Sequence, residues 1–175
     1  MYLHATRILA VALLASACGL ATGATKTATF AATATVASNC FINSASAMAF
    51  GTYTPGTGNM NQTSTIAVRC TSATPYGIGL SAGTGTGSTL LQRTMTSATV
   101  AGTLQYNLFT TAARTVVWNN PATAAATATS QGGTGTGLAN VFNHTVYGQL
   151  QDSATSQAAT PANNYTSTIT VSINY

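Results

Sequence analysis

The chain has 175 residues, 45% of them hydrophobic and 3% charged, with a formal net charge of +4. A single acid, Asp152, stands against five Lys and Arg, which excludes carboxylate-pair catalysis and any acidic cluster built to hold a metal. The bases are scattered, so the electrostatic footprint of a nucleic-acid binder or of a basic membrane-surface helix is missing as well.

Taken in order, His4 and Arg7 precede an apolar run from Ile8 to Leu20, with small residues at Ala21, Gly23 and Ala24. This order reads as a secretory signal peptide over residues 1–23, too short for a comfortable transmembrane helix. Cys18 offers a lipid-attachment alternative, but Leu14 stands one position too far upstream for a good box. The expectation is a secreted protein with no direct membrane anchor and one domain of about 150 residues. Past the signal, Lys26, Arg69, Arg93 and Arg114 against Asp152 leave a net charge of +3.

Residues 25–36 alternate: Ala28, Phe30, Ala32, Ala34 and Val36 share one face, and Thr27, Thr29, Thr33 and Thr35 most of the other. That is the period of a strand, light in side-chain bulk. Short β-compatible runs follow at 47–50, 64–70, 76–80, 89–95, 104–109, 115–118 and 141–150, bounded by turn residues such as Pro55-Gly56, Pro75 and Gly83. Residues 119–140 read as a mobile Ala/Thr/Ser/Gly loop. Gly83 to Gly87 and Gly132 to Gly137 carry no Lys and lead into no helix, so they are expected to be turns and not phosphate cradles. Tyr165 to Tyr175 form the strongest strand signal, with Ile169, Val171, Ile173 and Tyr175 on one side and Thr168, Thr170, Ser172 and Asn174 on the other. The edge of such a strand must find neighbours earlier in the chain or on another molecule. No helical period appears past the signal, and short strands between turn signals predict an all-β sandwich.

Two cysteines follow the signal, Cys40 and Cys70, and an even count in a secreted chain favours a disulfide. Closing a loop of about thirty residues stabilises a fold by about 3 to 4 kcal/mol. A metal site in their place would have only His144 and Asp152 to complete it; neither a metal nor a cofactor is expected. A Ser-His-Asp arrangement would use the same two residues, about 25 Å apart along one strand. The protein is not expected to be an enzyme, and His144 reads as a polar residue on the exposed face beside Thr145. Asn61-Gln-Thr63, Asn143-His-Thr145 and Asn164-Tyr-Thr166 fit the glycosylation triplet, which arises readily by chance in so Thr-rich a chain.

An ordered set of pieces carries a family resemblance: Phe50-Gly-Thr-Tyr53, Val68-Arg-Cys70-Thr, Pro75-Tyr-Gly-Ile-Gly-Leu80-Ser-Ala-Gly83, Arg93-Thr-Met95, Leu104-Gln-Tyr106-Asn-Leu108-Phe109, Ala113-Arg114-Thr-Val-Val-Trp118, Val146-Tyr147-Gly148 and Tyr165 to Tyr175. Together they resemble the spore coat protein U domain family, which includes the Csu-type pilins of archaic chaperone–usher systems. The Asn-Asn-Pro after Trp118 and the Tyr165-Thr-Ser-Thr start of the last strand depart from the family's usual turns. The resemblance implies an immunoglobulin-like β-sandwich that lacks one strand. It implies a periplasmic chaperone, an outer-membrane usher and identical or related pilin subunits as partners, with passage through the periplasm to the cell surface or a fimbrium. On that reading residues 24–39 are a donor segment presenting Ala28, Phe30, Ala32, Ala34 and Val36, and residues 40–175 are the domain that receives one. Ile169, Val171, Ile173 and Tyr175 then border the groove and serve the chaperone as an edge. The function implied is a structural fibre subunit serving attachment and biofilm formation; the rivals are a non-fibrous, self-complemented coat protein and a tip adhesin.

Overall fold

A computed structural model describes residues 23–120 and 124–175. The expected signal peptide, Gly23 apart, lies outside the described residues. Residues 23–35 belong to a unit separate from residues 36–175. In that first unit no described residue is in a helix or strand and every one is exposed, Phe30 at 92%. The strand expected over 25–36 is not formed: Ala and Thr supply too little apolar area to hold an extended segment without a partner. Ala28, Phe30, Ala32 and Ala34 are all exposed there, as is Val36 at the start of the second unit.

The second unit is a β-sandwich of two antiparallel sheets with a single turn of helix. Its elements are β1 (Cys40–Ala45), β2 (Met60–Cys70), β3 (Pro75–Leu80), β4 (Arg93–Thr96), β5 (Thr103–Phe109), β6 (Gln131–Thr134), β7 (Phe142–Leu150), a one-turn helix α1 (Ala154–Gln157) and β8 (Val171–Asn174). One sheet has the order β1-β2-β7-β5-β4 and the other β6-β3-β8, all pairs being antiparallel. Period-two alternation turns Ile66, Val68 and Cys70 of β2, Leu104, Tyr106 and Leu108 of β5, and Val146 and Leu150 of β7 toward Tyr76, Ile78 and Leu80 of β3. Burying this set is the main stabilising contribution, at about 25 cal/mol for each Å² of apolar surface removed from water.

Strands β3, β5 and β7 fall within a residue of expectation. Strand β2 starts four residues early, at Met60, because its polar first half pairs with β7 as far as Leu150. The expected strand at 89–95 is regular only from Arg93, the one at 47–50 does not form, and the one at 115–118 reduces to a bridge between Val117 and Phe109. Two strands escape the alternation rule. Strand β1, Cys-Phe-Ile-Asn-Ser-Ala, carries few core residues and is held by pairing with β2. Strand β6 lies inside the segment expected to be a mobile loop. There Gly132 rides so close to β3 that a Cβ would meet the Tyr76 carbonyl oxygen at 2.1 Å, so its glycines serve close backbone approach and not turning.

Candidate functional site

The cysteines meet as expected. Cys40 and Cys70 are directly opposed at the start of β1 and the end of β2 and are joined by a disulfide, which fixes β1 to the sheet at one end.

Behind them, the interior is closed by a polar knot. Arg93 and Trp118 are both fully buried. The Arg93 guanidinium donates to four carbonyl oxygens, those of Ser81 (2.9 Å), Leu90 (3.2 Å), Leu80 (3.3 Å) and Trp118 (2.8 Å). Trp118 Nε1 donates to the Ile78 carbonyl at 2.9 Å, and Asn107 Nδ2 to that of Leu91 at 2.7 Å. No carboxylate takes part. Burial lowers the Arg93 pKa from its ordinary value, and the ring of carbonyl dipoles supplies the hydrogen bonds that a buried cation requires. Sequence reading placed Arg93 and Trp118 only as pieces of a pattern. A clue was present nonetheless: in a chain with one acid, an Arg on an apolar strand has only backbone to bind.

His144 departs from expectation. It faces the opposite sheet, with Nε2 2.9 Å from the Tyr76 hydroxyl and Nδ1 3.2 Å from Gln131 Oε1. Gln131 Nε2 in turn donates to the carbonyls of Thr110 and Thr145. The reason is register: Ile66 lies opposite His144, and residues opposed across a ladder share a face. Burial lowers the His144 pKa and raises that of Tyr76. Asp152 is engaged elsewhere, accepting hydrogen bonds from the Tyr53 hydroxyl, the amides of Gly56 and Gly58, and Gln157 Nε2. His144 and Asp152 therefore form no catalytic pair.

The opposite flank is open. A cleft of about 440 Å³ enters between the segment after β1 and the segment leading into β8, lined among others by Met48, Phe50, Ile66, Tyr106, Ile169 and Val171. A second, of about 480 Å³, shares Met48, Phe50 and Met95 with the first and runs on past Tyr53, Leu150 and Tyr165. Met48, which lines both, packs over Gly148, where a Cβ would lie 2.0 Å from Met48 Sδ. Of the four C-terminal residues expected at this edge, Ile169 and Val171 line the cleft, and Ile173 packs half-buried on the core. Tyr175 is 51% exposed, its hydroxyl donating to Asn39 Oδ1 at 3.4 Å.

The backbone of this wall is unusual. The strand expected over 165–175 is regular only at Val171–Asn174, with a separate bridge between Thr166 and Thr96. In between, side chains replace the missing partner: Thr84 Oγ1 accepts from the Thr168 amide (2.9 Å) and Ser81 Oγ from the Thr170 amide (2.9 Å). Amides of Thr166, Thr168 and Thr170 thus point away from the cleft edge, and alternation sends the main chain of Ser167, Ile169 and Val171 toward it. Strand β1, across the cleft, has β2 as its one ladder neighbour among the described strands. These two edges differ from that of β4, which is covered by a loop: Thr94 donates to Ser88 Oγ through its amide and to the Thr86 carbonyl through its hydroxyl.

The model of the Spore Coat Protein U domain matches residues 26–172. No curated protein sequence matches the chain. Among solved structures a similarity is found to the CsuC-CsuE chaperone–tip adhesion subunit pre-assembly complex from archaic chaperone–usher Csu pili of Acinetobacter baumannii. It is 20% identical, covers 81% of this chain and 40% of that one, and has a TM-score of 0.48. This chain accordingly spans less than half the length of that one.

Proposed function

The chain belongs to the Spore Coat Protein U domain family, and from that premise we propose that it is a structural subunit of a secreted surface fibre, built by donor-strand complementation. One observation carries the reading: a sandwich whose apolar interior opens between two strand edges, with Ile169, Val171 and Met48 half-buried at the opening. An extended segment laid between the chain at 45–50 and the wall at 166–171 would pair with both through main-chain hydrogen bonds and bury the cleft with alternate side chains. Residues 24–39 of another copy have that pattern, with Phe30 as the one large side chain. Before assembly a periplasmic chaperone strand would occupy the same place, and an outer-membrane usher would exchange it for the next subunit. The fibre would serve attachment and biofilm formation at the cell surface. Nothing in this reading requires an enzyme or a cofactor.

The experiment is Phe30→Ala, made in cells that carry the chaperone and usher, with negative-stain microscopy of sheared surface material. Loss of a buried Phe costs about 3 to 5 kcal/mol, so variant fibres should dissociate at lower denaturant while the isolated subunit melts as the wild type does. An effect confined to subunit melting, or wild-type material without fibres, would overturn the reading in favour of a self-complemented coat protein.

A further inference from the structure

The knot and the cleft are joined by one residue. Ser81, whose carbonyl is held by Arg93 Nε at 2.9 Å, grips Thr170 twice: its amide donates to the Thr170 carbonyl at 3.0 Å and its hydroxyl accepts from the Thr170 amide at 2.9 Å. Leu80, whose carbonyl Arg93 also holds, lies opposite Val171. The other amides of the wall lead back to the same strand. Thr96 of β4 exchanges two backbone hydrogen bonds with Thr166, at 3.1 and 3.0 Å. Thr84, which holds Thr168, sits in the loop that Thr94 of β4 pins through Thr86 and Ser88. Residues 166–170 are therefore held by separate backbone contacts at Thr166 and Thr170 and by hydroxyl hooks at Thr168 and Thr170, where a continuous ladder would otherwise run.

We propose that Arg93 is a positioning residue for the strand-accepting cleft, setting the place of the Thr166–Thr170 wall through Ser81. The proposal rests on the reading of the cleft as the acceptor of an extended segment. Such a segment pairs with both edges only if they stand about two strand spacings, or 9 to 10 Å, apart. Its hydrogen bonds tolerate only a few tenths of an ångström of drift. Between its backbone contacts at Thr166 and Thr170 the wall has no continuous ladder to fix that distance, so the rigid element behind those contacts must do so. Arg suits this role because its planar fork reaches carbonyls on three segments at once, which the ammonium of Lys does not. The guanidinium itself touches neither the cleft nor any incoming strand.

The test uses the full chain and a fluorescent peptide of residues 24–39, with amide hydrogen exchange read residue by residue. Ser81→Ala removes the hydroxyl hook and leaves the contacts of Arg93 intact. The hydroxyl holds the wall by one hydrogen bond, from Thr170, its other being a longer one from the Gly83 amide at 3.3 Å; the Thr170 amide should exchange about tenfold faster and peptide affinity should fall about tenfold. Exchange at Tyr76 and Ile78, and the melting temperature, should stay as in the wild type. Arg93→Lys should loosen Thr168 and Thr170 together and weaken capture further; if that variant does not fold, Thr84→Ala beside Ser81→Ala carries the same comparison. Faster wall exchange with unchanged capture, or an unmoved wall in the hook variants, overturns the proposal. A wild-type chain that captures no peptide overturns the acceptor reading itself, and the proposal with it.

Discussion

Around Arg93 and Trp118 the interior is sealed by hydrogen bonds to main-chain carbonyls, whereas around Met48, Ile169 and Val171 comparable apolar surface is left facing open clefts. Both regions are built from the same poor palette, since a chain with 3% charged residues has few ion pairs to spend on either. What separates them is backbone pairing. At the knot, side chains draw three segments together over Leu80, Ser81 and Trp118; at the cleft, β1 and β8 each end a sheet, with one ladder neighbour apiece among the described strands. Half-buried side chains beside an unpaired edge retain burial energy that only a further strand can release. A fully buried knot retains none.

The comparison breaks most directly at Trp118. Trp118→Ala removes a fully buried side chain and leaves the Ile78 carbonyl without its donor, so a loss of about 3 to 5 kcal/mol is expected in urea unfolding. A loss below about 1 kcal/mol would mean that the sealed region does not hold the sheets together.

Next in size is the disulfide. Cys40→Ser frees the start of β1, which pairs with β2 alone, and should cost about 3 kcal/mol in unfolding without reductant. Since β1 forms one side of the cleft, peptide capture should also fall. Free thiols found by mass spectrometry in the wild-type protein would remove this expectation.

How much of this was legible in the sequence follows the same division. Strands β3, β5 and β7 are short β-compatible runs closed by turn residues, and those signals place them within a residue. The disulfide follows from the cysteine count. Strand β6 was hidden because its glycines pack by their backbone, and hydrophobic periodicity registers side chains only. Residues 166–170 share the alternation of the strand that follows, and nothing in that local pattern reveals that Ser81 and Thr84 hydroxyls stand in for a partner strand. His144 was put on the wrong face because register with Ile66 is a long-range fact. The role of Arg93 needed three distant carbonyls to converge. The family resemblance implies an open groove bordered by the C-terminal segment; the lining by Met48 has no signal in the sequence.

Val171→Asp sharpens the contrast. Val171 is half-buried at the mouth of a cleft open to water, so the carboxylate keeps much of its hydration and the isolated subunit should lose only about 1 kcal/mol. An incoming strand would have to bury that charge, and capture of the 24–39 peptide should vanish. Retained capture would show that this edge is not the one used.

The smallest expected effect lies at Tyr53, on the wall of the second cleft, where the chain's one acid does for the open flank what Arg93 does for the closed one. The hydrogen bond from the Tyr53 hydroxyl, followed by those from the Gly56 and Gly58 amides, holds the Asp152 carboxyl well below the usual carboxylate range. Partial burial, then the hydrogen bond to Asp152 and its charge, push the Tyr53 hydroxyl up to about 12. A depressed carboxyl contributes stability that is present above its unfolded value of about 3.9 and lost as pH falls from there through the folded value. A raised phenol contributes stability that is full below about 10 and lost as pH rises toward 12. The 53–58 loop should therefore stay anchored from about pH 4 to about pH 10 and loosen on either side. Tyr53→Phe removes the largest cause of the Asp152 shift, so a carbon-13 titration should find its carboxyl moved up toward the ordinary range, with the alkaline limb gone. Trp118 fluorescence should not change between pH 4 and 10 in either protein. An Asp152 titration that is the same in both proteins would show that the Gly56 and Gly58 amides and Gln157 hold the carboxyl without the phenol.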